Sequence, residues 1–255
     1  MRRALSKSFL TRPLAHRGLH DSDDSRLENS LPAIEAAIAA GYGIEIDVQM
    51  TSDACAVVFH DYKLNRLTLV DGLVRDHTQS ELTKIELKAS SGHIPTLAQV
   101  LERVAGRVPL LVEIKDQDGN LGTDVGPLEM AVASDLAQYT GSVAVMSFNP
   151  HSVAAMQALL PDVPRGLVTA AFEPDHWPMP RTRALELANI PDFNRVGASF
   201  ISHDSRDLKN PRVVVLRKAG ANILCWTIRS PQEEAEARKV AENVTFEGYL
   251  PPVPA

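Results

Sequence analysis

The sequence predicts an α/β fold and, within that class, a closed (β/α)8 barrel. Short apolar runs alternate with helix-like segments along the whole chain, in about eight strand–helix steps. The length of 255 residues is what an α/β barrel of ~250 residues uses as one unit. No G-x-G-x-x-G or G-x-x-x-x-G-K-S/T run follows any of the strands, so dinucleotide and P-loop sheets have no support.

The elements follow in order. Residues 13–17 form the first strand candidate, and after an Asp- and Ser-rich loop a helix spans 31–40, stopped by Gly41. The second strand is Gly43-Ile-Glu-Ile-Asp-Val-Gln-Met50; Thr51-Ser-Asp-Ala reads as a turn, and 55–59 as a further strand ending at His60. Residues 62–95 are more polar and weakly periodic, with a short helix near 80–87, and read as an insertion after His60. The rhythm then resumes: helix 97–104, strand 109–115, helix 128–139, strand 143–148, helix 150–160, strand 165–169 and helix 181–188. Strand 198–202, helix 211–219, strand 221–228, helix 231–242 and strand 244–249 complete the series, and 251–255 reads as a loose end. The expectation is a single domain over 1–255 with the insertion at about 62–95.

The second strand carries the chemistry. Side chains two apart on a strand share a face, so Glu45 and Asp47 stand together while Ile44, Ile46 and Val48 turn the other way. Two carboxylates in a dry place repel, and each is costly to bury unless a cation or a shared proton neutralises it. A hard divalent ion suits such oxygen ligands, and charges facing water on an exposed strand edge are the bland alternative. In a barrel the C-terminal strand ends form one mouth. There His16 and Arg17, Glu45 and Asp47, His60 and Asp61, and Glu113 and Lys115 would converge. Three carboxylates can hold one ion, two histidines can act as general acid and base, Arg17 offers a planar fork to phosphate oxygens and Lys115 a point charge. That set fits phosphodiester cleavage, where developing negative charge must be stabilised and a leaving oxygen protonated. Taken singly, His16 reads as a packing histidine, Glu113 and Lys115 as a surface ion pair, and Asp61 as a residue that orients a turn or the imidazole.

With these residues in place, the chain resembles the glycerophosphodiester phosphodiesterase family. The likeness runs through His16-Arg17-Gly18, Glu28-Asn29-Ser30, Glu45-Ile46-Asp47-Val48, His60-Asp61, Leu64-x-Arg66-x-Thr68, Ile94-Pro95-Thr96-Leu97 and Glu113-Ile114-Lys115. It continues more loosely through Ser147-Phe148-Asn149-Pro150, Gly166-Leu167 and Trp226-Thr227-Ile228. The resemblance implies a TIM barrel with a small insertion after the second catalytic histidine. It makes His16 and His60 the acid–base pair, and Glu45, Asp47 and Glu113 the ligands of Mg²⁺, Ca²⁺ or Mn²⁺. Arg17 becomes a phosphate contact, and Lys115 lies beside metal and phosphate. Glu28 and Asn29 support Arg17 or the mouth of the first strand; Phe148 and Trp226 line the pocket or pack at strand ends. By resemblance, the glycerol 2-hydroxyl attacks phosphorus, and water opens the cyclic phosphate to glycerol 3-phosphate. Two places depart from the pattern. The family closes with Thr-Asp-x-Pro where this chain has Phe246-Glu-Gly-Tyr-Leu-Pro-Pro252, and Asp53-Ala-Cys-Ala replaces an Asp-Gly turn.

The totals set the limits. A net charge of -6 and the lack of a long basic run argue against a nucleic-acid partner. Cys55 and Cys225 make no disulfide framework and read as small buried hydrophobes. The first ten residues lack the apolar stretch of a signal peptide, and no run approaches the ~20 apolar residues of a membrane span. The expected location is cytoplasmic, and the expected partner a small glycerophosphodiester. The rivals are a phospholipase D-like lyase on lysophospholipids and a silent barrel that only binds a phosphorylated ligand. His20, His77, His93, His151 and His176 read as surface residues, and His203 as a possible rim residue.

Overall fold

The computed structural model describes residues 2–21, 26–88, 92–173, 177 and 179–253; His176 lies outside them. Eight parallel strands close into a ring: β1 (Leu14–Ala15), β2 (Gly43–Met50), β4 (Leu110–Ile114), β5 (Val143–Ser147), β6 (Arg165–Thr169), β7 (Phe200–Asp204), β8 (Asn222–Ile228) and β9 (Asn243–Phe246), with β1 pairing both β9 and β2. The outer helices are α2 (Leu31–Ala39), α4 (Leu97–Val104), α5 (Pro127–Leu136), α6 (Pro150–Leu159), α7 (Arg181–Ala188), α8 (Pro211–Lys218) and α9 (Pro231–Ala237). This is the predicted (β/α)8 TIM barrel. Among the described residues no helix is long and apolar enough to cross a membrane.

Alternation along each strand builds two cores. Ile44, Ile46, Val48, Leu110, Val112 and Ile114 face outward into the layer shared with the helices. Leu14, Leu111, Ala144, Met146, Val168, Phe200 and Leu224 fill the barrel interior, and Phe9 joins them from below. Phe9 belongs to α1 (Lys7–Thr11), a helix the sequence pattern did not suggest. It is held where the Asn243 side chain donates to the carbonyl of Phe9, at 2.8 Å. Three helices start at the mouth on a polar cap followed by proline: Asn149-Pro150, Asn210-Pro211 and Ser230-Pro231. The cap accepts an orphan backbone N–H and the fixed proline φ suits the first turn.

Several boundaries differ from expectation. The run at 55–59 becomes β3 (Ala56–Val58), which pairs antiparallel with β2 and lies outside the ring. The helix near 80–87 shrinks to α3 (Gln79–Leu82), because residues 86–88 pair back on Thr68, His93 and Leu67 instead. Between β3 and α4 the chain gathers an apolar cluster of its own, including Phe59, Leu64, Val74, Leu82 and Ile94. Strand β7 runs two residues further than predicted, since its polar end finds partners inside the fold, and α9 stops five residues early. The tail is tied down as far as Pro251, whose carbonyl accepts from Tyr42 Oη at 2.7 Å. Cys55 is only half-buried, while Cys225 is fully buried and its thiol is pushed up to about 12 by that burial.

The Asp53-Ala54 turn carries backbone strain. Ala54 takes φ 57°, a left-handed conformation that favours glycine. Ala54→Gly should therefore stabilise the fold by about 0.5–1 kcal/mol, read as a shift of the urea midpoint with unchanged slope. An unchanged or lowered midpoint would show that Thr51, which caps the turn through Cys55 N at 2.9 Å, already absorbs the strain.

Candidate active site

Strand register brings the acidic residues together. Asp47 lies directly opposite Glu113 across the β2–β4 ladder, and Glu45 is one inward-facing position earlier. All three are buried, and one carboxylate oxygen of each lies within 4.8 Å of the others. Among the described residues this is the group of His, Cys, Asp or Glu side chains arranged to hold a metal ion.

Two cations sit against these three carboxylates. Lys115, past the end of β4, donates from Nζ to Glu113 at 2.9 Å and lies 3.4 Å from Asp47. Arg17 stands just beyond β1, which ends two residues earlier than predicted, and takes φ 56°. That turn aims the Arg17 backbone N–H at Glu45, at 3.1 Å, and sets its Nε 3.3 Å from Asp47. Gly18 completes the turn at φ +82°, and a Cβ there would meet the Ala33 backbone at 3.0 Å. The charge count leaves one carboxylate in excess. Burial, with Asp47 and Glu113 nearby, pushes Glu45 well above the usual carboxylate range. Burial acts the same way on Asp47, but Lys115, His60 and Arg17 overcome it and hold that group low. Hard oxygen donors with one negative charge unmatched fit a divalent cation.

Asn29, Glu28, Arg66 and Asp61 wrap this cluster. Asn29 donates from Nδ2 to Asp47 at 2.9 Å and accepts from the Asp47 backbone at 3.3 Å. Glu28 accepts from Arg17 at 2.8 Å and from both ends of the Arg66 fork at 2.6 and 2.9 Å. Arg66 also donates from Nε to Asp61 at 2.5 Å, and Asp61 lies 2.7 Å from His60 Nδ1. Arg66 appeared in the sequence only as part of a motif; its bridge between two carboxylates is new.

One cavity of about 200 Å³ is lined by His16, Arg17, Glu45, Asp47, His60, Glu113, Lys115, Phe148 and Trp226. The structure thus brings together all nine residues predicted to touch metal or substrate, and leaves Glu28, Asn29 and Asp61 outside the lining. Phe148 and Trp226 meet edge to face at 5.6 Å, and Trp226 is oriented by its indole N–H donating to the Ser202 carbonyl at 3.0 Å. Both also pack on the inner core, so each is wall and packing residue at once. A larger cavity of about 860 Å³ adjoins it and shares Trp226, Thr227 and Arg229, but contains none of the acidic triad.

His16 faces the cavity from the start of the turn, with Nδ1 2.6 Å from a Glu247 carboxylate oxygen. Burial lowers its pKa from the ordinary value, with Glu247 opposing. Glu247 was not foreseen: its signal was the departure from Thr-Asp-x-Pro after the last strand. His203 is not at the rim. It is fully buried, with Nδ1 2.8 Å from Thr169 Oγ1 and Nε2 3.2 Å from Asp207, and ties β6 and β7 to the following turn.

The family model described as the glycerophosphoryl diester phosphodiesterase family matches residues 16–244. A glycerophosphodiester phosphodiesterase of Bacillus altitudinis is 32% identical over 177 residues, 66% of this chain and 71% of that protein. One from Caldanaerobacter subterraneus subsp. tengcongensis is 31% identical over 173 residues, 65% of this chain and 70% of that protein. The barrel is similar to that of an Oleispira antarctica phosphodiesterase solved with the product sn-glycerol-3-phosphate, with a TM-score of 0.76 at 24% identity over 95% of each chain.

Removing the buried cation should unbalance the cluster. Lys115→Met is expected to lose about 3 kcal/mol in urea unfolding in EDTA, the cost of leaving a buried charge unpaired, with part recovered on adding a divalent ion. Wild-type stability in EDTA would contradict the charge balance described here.

Proposed function

The chain belongs to the glycerophosphoryl diester phosphodiesterase family and is a phosphodiesterase; on that premise we propose that it hydrolyses glycerophosphodiesters to glycerol 3-phosphate and an alcohol, by histidine acid–base catalysis at a divalent metal site. The observation that carries the reading is the single cavity in which three buried carboxylates, two cations and two imidazoles meet.

Glu45, Asp47 and Glu113 are the residues that would hold the ion. When bound, it supplies Lewis-acid polarisation of the phosphate and neutralises developing charge. Mg²⁺, Ca²⁺ and Mn²⁺ all suit three carboxylates. Arg17 and Lys115 orient the phosphate and stabilise charge on its oxygens. His16, which burial keeps neutral near pH 7, takes the proton from the glycerol 2-hydroxyl as that oxygen attacks phosphorus. His60, oriented by Asp61, gives a proton to the departing alcohol oxygen as its bond to phosphorus breaks. A cyclic phosphate results. Water then opens it with the two roles exchanged, His60 taking the proton of water and His16 returning one to the 2-oxygen. The nucleophile is part of the substrate, so its proximity replaces a protein nucleophile. Phe148 and Trp226 form an apolar wall that limits water at the reacting phosphate.

The test is release of glycerol 3-phosphate from glycerophosphocholine in EDTA and after each ion is restored. Release is expected only with metal. His16→Ala should lose about a thousandfold in kcat, within the range of acid–base catalysis, and Glu45→Ala should lose the metal-dependent turnover, both while keeping the fold. An analogue lacking the 2-hydroxyl should not turn over. Full activity in either variant would overturn the roles, turnover of the analogue would replace internal attack by direct attack of water, and binding without turnover of any diester would leave the silent barrel.

A further inference from the structure

The two imidazoles of the cavity are held in the same way. His60 Nδ1 meets Asp61 at 2.7 Å, and Arg66 grips Asp61. His16 Nδ1 meets Glu247 at 2.6 Å, and Arg229 grips Glu247 through Nε and Nη2 at 2.8 and 2.7 Å. The first relay is local, formed from residues one and five apart in the chain. The second spans 231 residues and is assembled only when the barrel closes.

We propose that Glu247 and Arg229 are the positioning pair of His16, fixing its tautomer and ring plane so that Nε2 faces the substrate. The inference rests on His16 being a proton carrier, as proposed above. A neutral imidazole carries its proton on one nitrogen, and the partner of the other nitrogen decides which. An ionised carboxylate only accepts, so the 2.6 Å contact requires Nδ1–H and leaves the Nε2 lone pair free. Glu247 in turn cannot drift: its backbone N–H donates to the Ile228 carbonyl at 3.0 Å, and Arg229 holds one carboxylate oxygen while His16 takes the other. His20 Nε2, 3.8 Å from the same oxygen, adds a weaker attraction. The last strand of this chain thus ends in a longer acid than the family's Thr-Asp-x-Pro, with an arginine from the neighbouring strand end to brace it. Glu247 is a positioning residue and touches no reacting atom.

The experiment compares wild type, Glu247→Ala, Glu247→Asp, Arg229→Met and His16→Ala, all with metal restored, on glycerophosphocholine. Glu247→Ala should lose about 10–100-fold in kcat with KM within about twofold, and Arg229→Met a smaller share of the same loss. Glu247→Asp should recover part of it. In ¹⁵N-histidine-labelled protein, long-range ¹H–¹⁵N correlation should show His16 as the Nδ1–H tautomer, turning to the Nε2–H form or a mixture in Glu247→Ala. Retention of the Nδ1–H form, or kcat within twofold of wild type, would overturn the inference. Full activity in His16→Ala would instead overturn the acid–base role itself. If Glu247→Ala does not fold, Arg229→Met decides: unchanged kcat and tautomer reject the pair.

Discussion

Three carboxylates stand on the inner face of two adjacent strands, and their mutual repulsion in a dry interior is the constraint from which the rest of the mouth follows. Glu45, Asp47 and Glu113 would each be expensive to bury alone. Lys115 and Arg17 answer most of the charge, and Asn29 satisfies Asp47 from both its amide and its carbonyl. Arg17 then needs a partner of its own, which is Glu28, and Glu28 shares itself with Arg66. Arg66 reaches on to Asp61 and so to His60. A balance begun on β2 thereby sets the orientation of an imidazole beyond β3. What the protein leaves unmatched is one negative charge, at the place where a hard cation fits.

Much of this was legible from spacing alone. The period of two on β2 placed Glu45 and Asp47 on one face opposite Ile44, Ile46 and Val48, and the ladder register confirms that division. The barrel followed from the count of strand–helix steps, and the helices expected from Pro150, Pro211 and Pro231 do begin at those residues. Boundaries were less readable where tertiary partners override local pattern. The strand expected at 55–59 after the 51–54 turn does return antiparallel on β2, but only Ala56–Val58 pair as strand. His203 resembles the His60-Asp61 pair in sequence, yet Thr169 and Asp207 bury both its nitrogens. Helix α1 has too few apolar residues for periodicity to reveal it; Phe9 earns its place only by closing a barrel floor that exists after folding.

Glu247 shows the limit most clearly. No local periodicity reveals its role, because its partner lies at the other end of the chain and the two meet only through the β9–β1 pairing that completes the ring. The sequence signal was a departure at the end of the last strand, informative only once the geometry explained it. The β9–β1 pairing that closes the barrel thus also sets His16 beside Glu247. The mouth of the barrel inherits its precision from the same strand pairing that stabilises the fold.

The account stands on the acidic cluster being a cation site, and calorimetry tests that most directly. Mg²⁺, Ca²⁺ and Mn²⁺ would be titrated into the metal-stripped chain in buffers of different protonation enthalpy. The account predicts a single ion per chain, with protons released as the raised pKa of Glu45 is overcome, and binding lost in Glu45→Gln. No binding to the folded chain, or binding that Glu45→Gln leaves unchanged, would contradict it.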